Sequence, residues 1–83
     1  SQFPNLTKLN LRSTKIGDKG VSRLAKLRNL QSLNLAETHV SDGIFEKLKD
    51  FPSLTNLHLW ESEVSREKVE LYKAKNSMIS VTY

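Results

Sequence analysis

The sequence predicts an α/β solenoid of about three strand–helix units, each 24 residues long, closed by a terminal strand, with a parallel sheet on the concave face. Three observations predict it. Leu6, Leu9 and Leu11 recur as Leu30, Leu33 and Leu35 and again as Leu54, Leu57 and Leu59, so L-x-x-L-x-L stands three times at one offset. The same offset carries Thr14 to Thr38 to Ser62, Ile16 to Val40 to Val64, and Val21 to Phe45 to Val69, so the register holds beyond the leucines. Finally, Met78, Val81 and Tyr83 fall on the positions of Leu54, Leu57 and Leu59, and the array stops on a strand.

The strands come first in each unit. Leu9 and Leu11 alternate with Lys8, Asn10 and Arg12, the period of a strand with one buried and one solvated face. Leu33 and Leu35, then Leu57 and Leu59, repeat the pattern, and the last strand is expected around residues 79–83. Thr14, Thr38 and Ser62 follow each strand, where a hydroxyl can satisfy the backbone of a tight turn. Residues 18–27, 42–48 and 66–74 carry apolar side chains at spacings of three and four, which predicts short amphipathic helices. Ser41 and Ser65 stand at the expected N-caps. Gly17, Gly20 and Gly43 are expected where strand-to-helix turns need backbone freedom, and they form no phosphate-loop pattern. Strand then helix, repeated, requires parallel strands joined by right-handed crossovers. The repeats divide the chain at 3–26, 27–50 and 51–74, with a partial copy at 75–83, in one domain spanning 1–83. One unit alone cannot offset the entropy of ordering its own backbone, so stability must come from stacked neighbours.

The 83 residues include 37% hydrophobic residues and no apolar run of membrane-spanning length. The chain opens on Ser1-Gln2 without an initiator Met, directly before a repeat, which predicts a piece excised from a longer protein. The flank of repeat one is then an apolar sheet edge at which copies could self-associate. With no cysteine there is no disulfide, thiolate metal site or cysteine nucleophile. The formal charge of +4 does not predict a nucleic-acid partner, because Lys19, Arg23, Lys26, Lys47, Lys49, Lys68, Lys73 and Lys75 are scattered on or beside the helices.

Strand alternation assigns a candidate binding surface. Three columns cross the exposed sheet face: Lys8, Ser32, Asn56 and Ser80; Asn10, Asn34, His58 and Thr82; Arg12, Ala36 and Trp60. Arg12, Asn10, Asn34, His58 and Trp60 are the candidate binding residues. Trp60 is the strongest of them, since Ala36 leaves room for the indole to lie across the sheet and exposed Trp is a common anchor. Covering apolar surface at the last repeat is the competing role for that ring. Asn10 and Asn34 form a short polar ladder suited to a peptide or sugar, or simply to solvent. Lys15, His39 and Glu63 share a column, which predicts a His39–Glu63 surface pair. The histidines and carboxylates show no spacing that demands a metal, no pattern calls for a cofactor, and an open sheet supplies no pocket for a nucleophile and its base. The chain is therefore expected to be non-enzymatic.

The unit N-L-x-x-L-x-L-x-x-T-x-[IV]-x-D, at residues 5–18 and 29–42, resembles bacterial leucine-rich repeats of the ribonuclease-inhibitor-like type. Residues 57–65, reading L-H-L-W-E-S-E-V-S, resemble the final repeat of planctomycete-type proteins in which a leucine-rich-repeat tail follows a c-type cytochrome domain. Ser62 and Ser65 replace threonines usual there, and Arg66 stands where Asp18 and Asp42 stand in the earlier repeats. The resemblance implies a cell-envelope or periplasmic protein whose haem chemistry lies outside this chain, which contains no C-x-x-C-H. Two functions follow as expectations. One is a protein-interaction or scaffolding module that binds through the concave sheet face; the other is a structural spacer or C-terminal cap of a larger redox protein.

Overall fold

A computed structural model describes residues 5–83. The first two residues assigned to repeat one, at positions 3 and 4, and the Ser1-Gln2 start lie outside the described residues. Four short strands, β1 (Lys8–Asn10), β2 (Ser32–Asn34), β3 (Asn56–His58) and β4 (Ser80–Thr82), form one sheet in the order β1-β2-β3-β4. All three pairings are parallel, and Lys8, Ser32, Asn56 and Ser80 stand in register, as do Asn10, Asn34, His58 and Thr82. The sequence offset and the strand register are therefore the same quantity. Helical segments return the chain between strands, giving the solenoid that the repeat requires.

The helices are less uniform than the repeat. α3 (Arg66–Lys75) is a full helix and Ser65 caps it, its side chain accepting from the Lys68 N–H at 3.3 Å. α1 (Asp18–Ser22) and α2 (Ile44–Lys47) are single turns, each continued by a tighter 3-10 segment, Arg23–Lys26 and Leu48–Asp50. The expected continuous helices over 18–27 and 42–48 are thus broken and partly displaced. Gly20, a weak helix former, lies inside the first and Gly43 precedes the second, whereas residues 66–75 are glycine-free and rich in strong helix formers. Ser41 does not cap α2, which starts at Ile44 after Gly43. Its hydroxyl is engaged elsewhere, as described below.

The glycines also act differently from the expectation. None has a positive φ; the left-handed positions are Ser13, Glu37 and Glu61, one per repeat directly after the strands. What Gly20 and Gly43 supply is space. A Cβ on Gly20 would lie 2.7 Å from Ile16 Cγ1, and one on Gly43 would lie 2.7 Å from Asp18 Oδ2.

The core runs as a column between sheet and helices. Leu30, Leu33, Leu35, Val40, Ile44, Leu57, Leu59 and Val69 are fully buried. Their repeat-one counterparts Leu9, Leu11 and Ile16 are only partly buried, because no neighbour covers them among the described residues. At the other end Tyr83 donates its hydroxyl to the Val64 carbonyl at 3.2 Å and lies against the last repeat.

The sheet face and its rim as a candidate functional site

Hydroxyls and carboxylates brace the turns that carry the sheet face. Thr14, Thr38 and Ser62 donate to the carbonyls of Leu11, Leu35 and Leu59 at 2.8, 2.7 and 2.6 Å, closing each turn as the sequence predicts. Asp18 accepts from both the N–H and the hydroxyl of Ser41, at 2.8 and 2.6 Å. Asp42 does the same to Ser65, at 2.7 and 3.0 Å. Each aspartate thus clamps the serine of the following unit. Arg66 occupies the aspartate position of the last full unit, where no further strand–helix unit follows among the described residues. This ladder was legible as two pairs with one spacing, Asp18 with Asp42 and Ser41 with Ser65, but a cap reading of the serines hid it.

The five candidate residues divide into two groups. Asn10, Asn34 and His58 share one column of the sheet and, with Lys8 and Ser32, border a shallow depression of about 270 Å³. Both asparagines are partly committed. The Asn10 side-chain oxygen accepts from the Arg12 N–H and that of Asn34 from the Ala36 N–H, each at 3.0 Å. Their amide nitrogens remain for a ligand, whereas the oxygens hold the strand ends. His58 is partly exposed and free of such a bond.

Arg12 and Trp60 form the second group. They come from repeats one and three and meet over repeat two, with the Arg12 guanidinium carbon 5.6 Å from the Trp60 ring centroid. Ala36 lies between them in sequence register and is buried at 5% exposure, so its small side chain provides the gap that both partners span. Trp60 keeps 46% of its surface exposed. The ring is thus about half exposed, with the Arg12 guanidinium against it. The ladder of backbone bonds continues past the strands here, from Ser13 N to Ala36 O at 3.0 Å and from Glu37 N to Trp60 O at 2.8 Å.

Glu37 completes the rim. Its carboxylate accepts from the Ser13 hydroxyl and from Arg12 through Nε and Nη2, each at 3.4 Å. The Ser13 hydrogen bond, then that of Arg12, holds this carboxyl below its ordinary range. Glu37 stands one 24-residue unit beyond Ser13 and next to the Arg12 column, which is the sequence signal for these contacts. The predicted His39–Glu63 pair is present at 2.7 Å, with both side chains 60% exposed, and such a contact contributes about 0–1 kcal/mol. Among the described residues no group of three or more His, Asp or Glu side chains could hold a metal ion.

A family model described as Leucine Rich repeat matches residues 4–25, the strand, turn and first helix of repeat one. The register shows that same unit twice more. The fold is a leucine-rich-repeat solenoid. No curated protein matches the chain. Along the stacked strands the asparagine column is partly held by internal bonds, and the Arg12–Trp60 pair lies exposed beside it.

Proposed function

We propose that this leucine-rich-repeat chain is a non-enzymatic protein-interaction module that binds through its sheet face. The observation that carries the reading is the Arg12–Trp60 pair held over Ala36, an exposed aromatic with a cation stacked on it beside a column in which His58 and the asparagine amide nitrogens are uncommitted. Large amphipathic side chains of this kind anchor protein interfaces, and the pair is already ordered, so little rotamer entropy is lost on binding. Trp60 and Arg12 supply the anchor; His58 and the amide nitrogens of Asn10 and Asn34 supply hydrogen bonds.

The test is affinity capture from an extract of the source organism, comparing the wild type with Trp60→Ala, His58→Glu. These positions are chosen because Asn34 supports the backbone at Ala36. A protein retained by the wild type and lost by the folded variant supports the sheet face; a protein retained equally by both removes it.

A second reading is favoured by the resemblance of residues 57–65 to the final repeat of bacterial cytochrome-linked proteins. In that reading the chain is a ribonuclease-inhibitor-like spacer or cap in the cell envelope that holds a redox domain in place. It predicts a c-type haem motif encoded in the same gene, and a gene without one would sink it. Self-association through β1 belongs to the same set of proposals, supported by the partly exposed Leu9, Leu11 and Ile16 beside that edge. Sedimentation velocity checks it: a Leu9→Lys variant should stay monomeric where the wild type does not, and a wild type monomeric at all concentrations refutes it.

A further inference from the structure

A broad depression lies away from the sheet face. It lies on the opposite side, between α2 with its 3-10 continuation and α3, and encloses about 1040 Å³. Its floor is apolar. Phe45 and Tyr72 pack there with ring centroids 5.0 Å apart and planes tilted by 34°, and Ile79 lies beside them. Two large apolar side chains at this groove remain in water, Leu71 at 50% and Met78 at 88% exposure. A residue as exposed as Met78 gains nothing from the fold, and exposed apolar surface rimmed by charge marks interaction sites. Burial pushes the Tyr72 hydroxyl up from its ordinary range, so that ring stays neutral at the floor.

The rim is basic. Lys49, Lys68 and Lys75 line the groove, with Asp42 and Glu46 as its only carboxylates. Both acids are already engaged, Asp42 by Ser65 through its two oxygens and Glu46 by Lys49 at 3.1 Å. Lys68 and Lys75, on α3, form no ion pair among the described residues. Lys68 and Lys75 are thus cations with no ion-pair partner beside apolar side chains, in a lining whose lysines outnumber its carboxylates.

We propose that this groove docks an acidic amphipathic helix, its apolar ridge on Phe45, Leu71, Tyr72 and Met78 and its carboxylates on Lys68 and Lys75. An amphipathic helix matches this pairing of apolar and basic side chains, since it carries an apolar ridge with carboxylates on the flanking face. A helix fits better than an extended peptide because it satisfies its own backbone groups, and the groove lining includes no residue of the β4 edge. Met78 suits such a partner, since its unbranched thioether adapts to varied apolar side chains. The groove is separate from the Trp60 face, so this proposal and the sheet-face reading stand or fall independently.

The test uses fluorescence anisotropy with a labelled helical peptide of about 16 residues, leucine at spacings of three and four and glutamate elsewhere. Saturable binding is expected, weakening as salt rises, and falling at least about tenfold in the Lys68→Glu, Lys75→Glu variant and in Met78→Lys. The charge-reversed variant is expected to bind a version of the peptide with lysine in place of glutamate, which a merely damaged groove would not do. All these side chains are exposed, and circular dichroism verifies that the variants fold. The proposal is overturned if the peptide does not bind, if the groove variants bind it unchanged, or if Trp60→Ala alone abolishes binding. It is equally overturned if phosphatidylserine vesicles bind and the peptide does not, or if Met78→Lys removes a dimer instead of a peptide site.

Discussion

Asp42 uses both carboxylate oxygens on one residue, the backbone N–H and the hydroxyl of Ser65, and Asp18 does so on Ser41. Hydrogen bonds to an ionised acceptor are stronger than neutral ones, and each clamp joins two units at the point where the chain enters its helical return. Replacing Asp42 by Ala should lower stability by about 1–3 kcal/mol in urea unfolding, because the partly buried Ser65 N–H loses its acceptor. A change within error would show that water replaces the carboxylate. Glu37 gives a second residue-scale expectation, in pH. Its folded pKa is depressed, first by Ser13 and then by Arg12, so its contribution to stability is complete above the unfolded value and is lost as pH falls through the folded one. In an NMR titration the Glu37 midpoint should lie below that of a free glutamate and rise in Ser13→Ala. A wild-type midpoint at the ordinary value would mean that the hydroxyl contact does not form in solution.

The three turns and their helices show where the repeat is strict and where it is not. Ser13, Glu37 and Glu61 have φ of 62, 57 and 57°, a left-handed conformation imposed on each turn although none is glycine or asparagine. Glu37 has partners that justify it there, whereas Glu61 forms no ion pair among the described residues. Glu61→Asn should therefore raise the unfolding free energy by roughly 0.5–1 kcal/mol, read as a higher urea midpoint, since asparagine tolerates this region better. A destabilised Asn variant would point to an unrecognised role for the glutamate. The helical segments follow composition more than position in the repeat. Gly20 and Gly43 allow close approach to Ile16 and Asp18, and α1 and α2, which hold or follow them, are single turns. α3 has no such constraint and is the longest helix, with its exposed face free to line the basic groove.

Along the strand leucines of the described residues, burial rises from repeat one to the centre. Leu33 and Leu57 are fully buried, whereas Leu9, at the same position of the unit, is only partly so. In a stacked array each unit gains stability from its neighbours, so an inner leucine is packed from both sides and an end leucine from one. Leu33→Ala and Leu57→Ala should each cost about 2–5 kcal/mol, enough to unfold much of a domain this small, and Leu9→Ala roughly half as much. Equal costs at all three sites would mean that something covers the repeat-one flank in solution. That comparison also bears on self-association, because a second copy seated on β1 would raise the cost at Leu9.

The sequence by itself determined the solenoid. A period of 24 residues in the leucines sets the strand positions, and stacking those strands in register is the only way to bury Leu9, Leu33 and Leu57 in one column. The threonine turns, the His39–Glu63 pair and the room over Ala36 were legible for the same reason, since residues one period apart become neighbours. Tertiary structure decided the rest. Arg12 reaches Trp60 across two units, Asp18 takes Ser41 in place of the expected cap, and Asp42 binds Ser65, which also caps α3. The groove between α2 and α3 depends on how two helical segments of unequal length pack, which the hydrophobic period does not specify. A repeat prescribes which residues meet along the stack; which of several partners a polar side chain chooses is settled only when the stacked units bring all of them within reach.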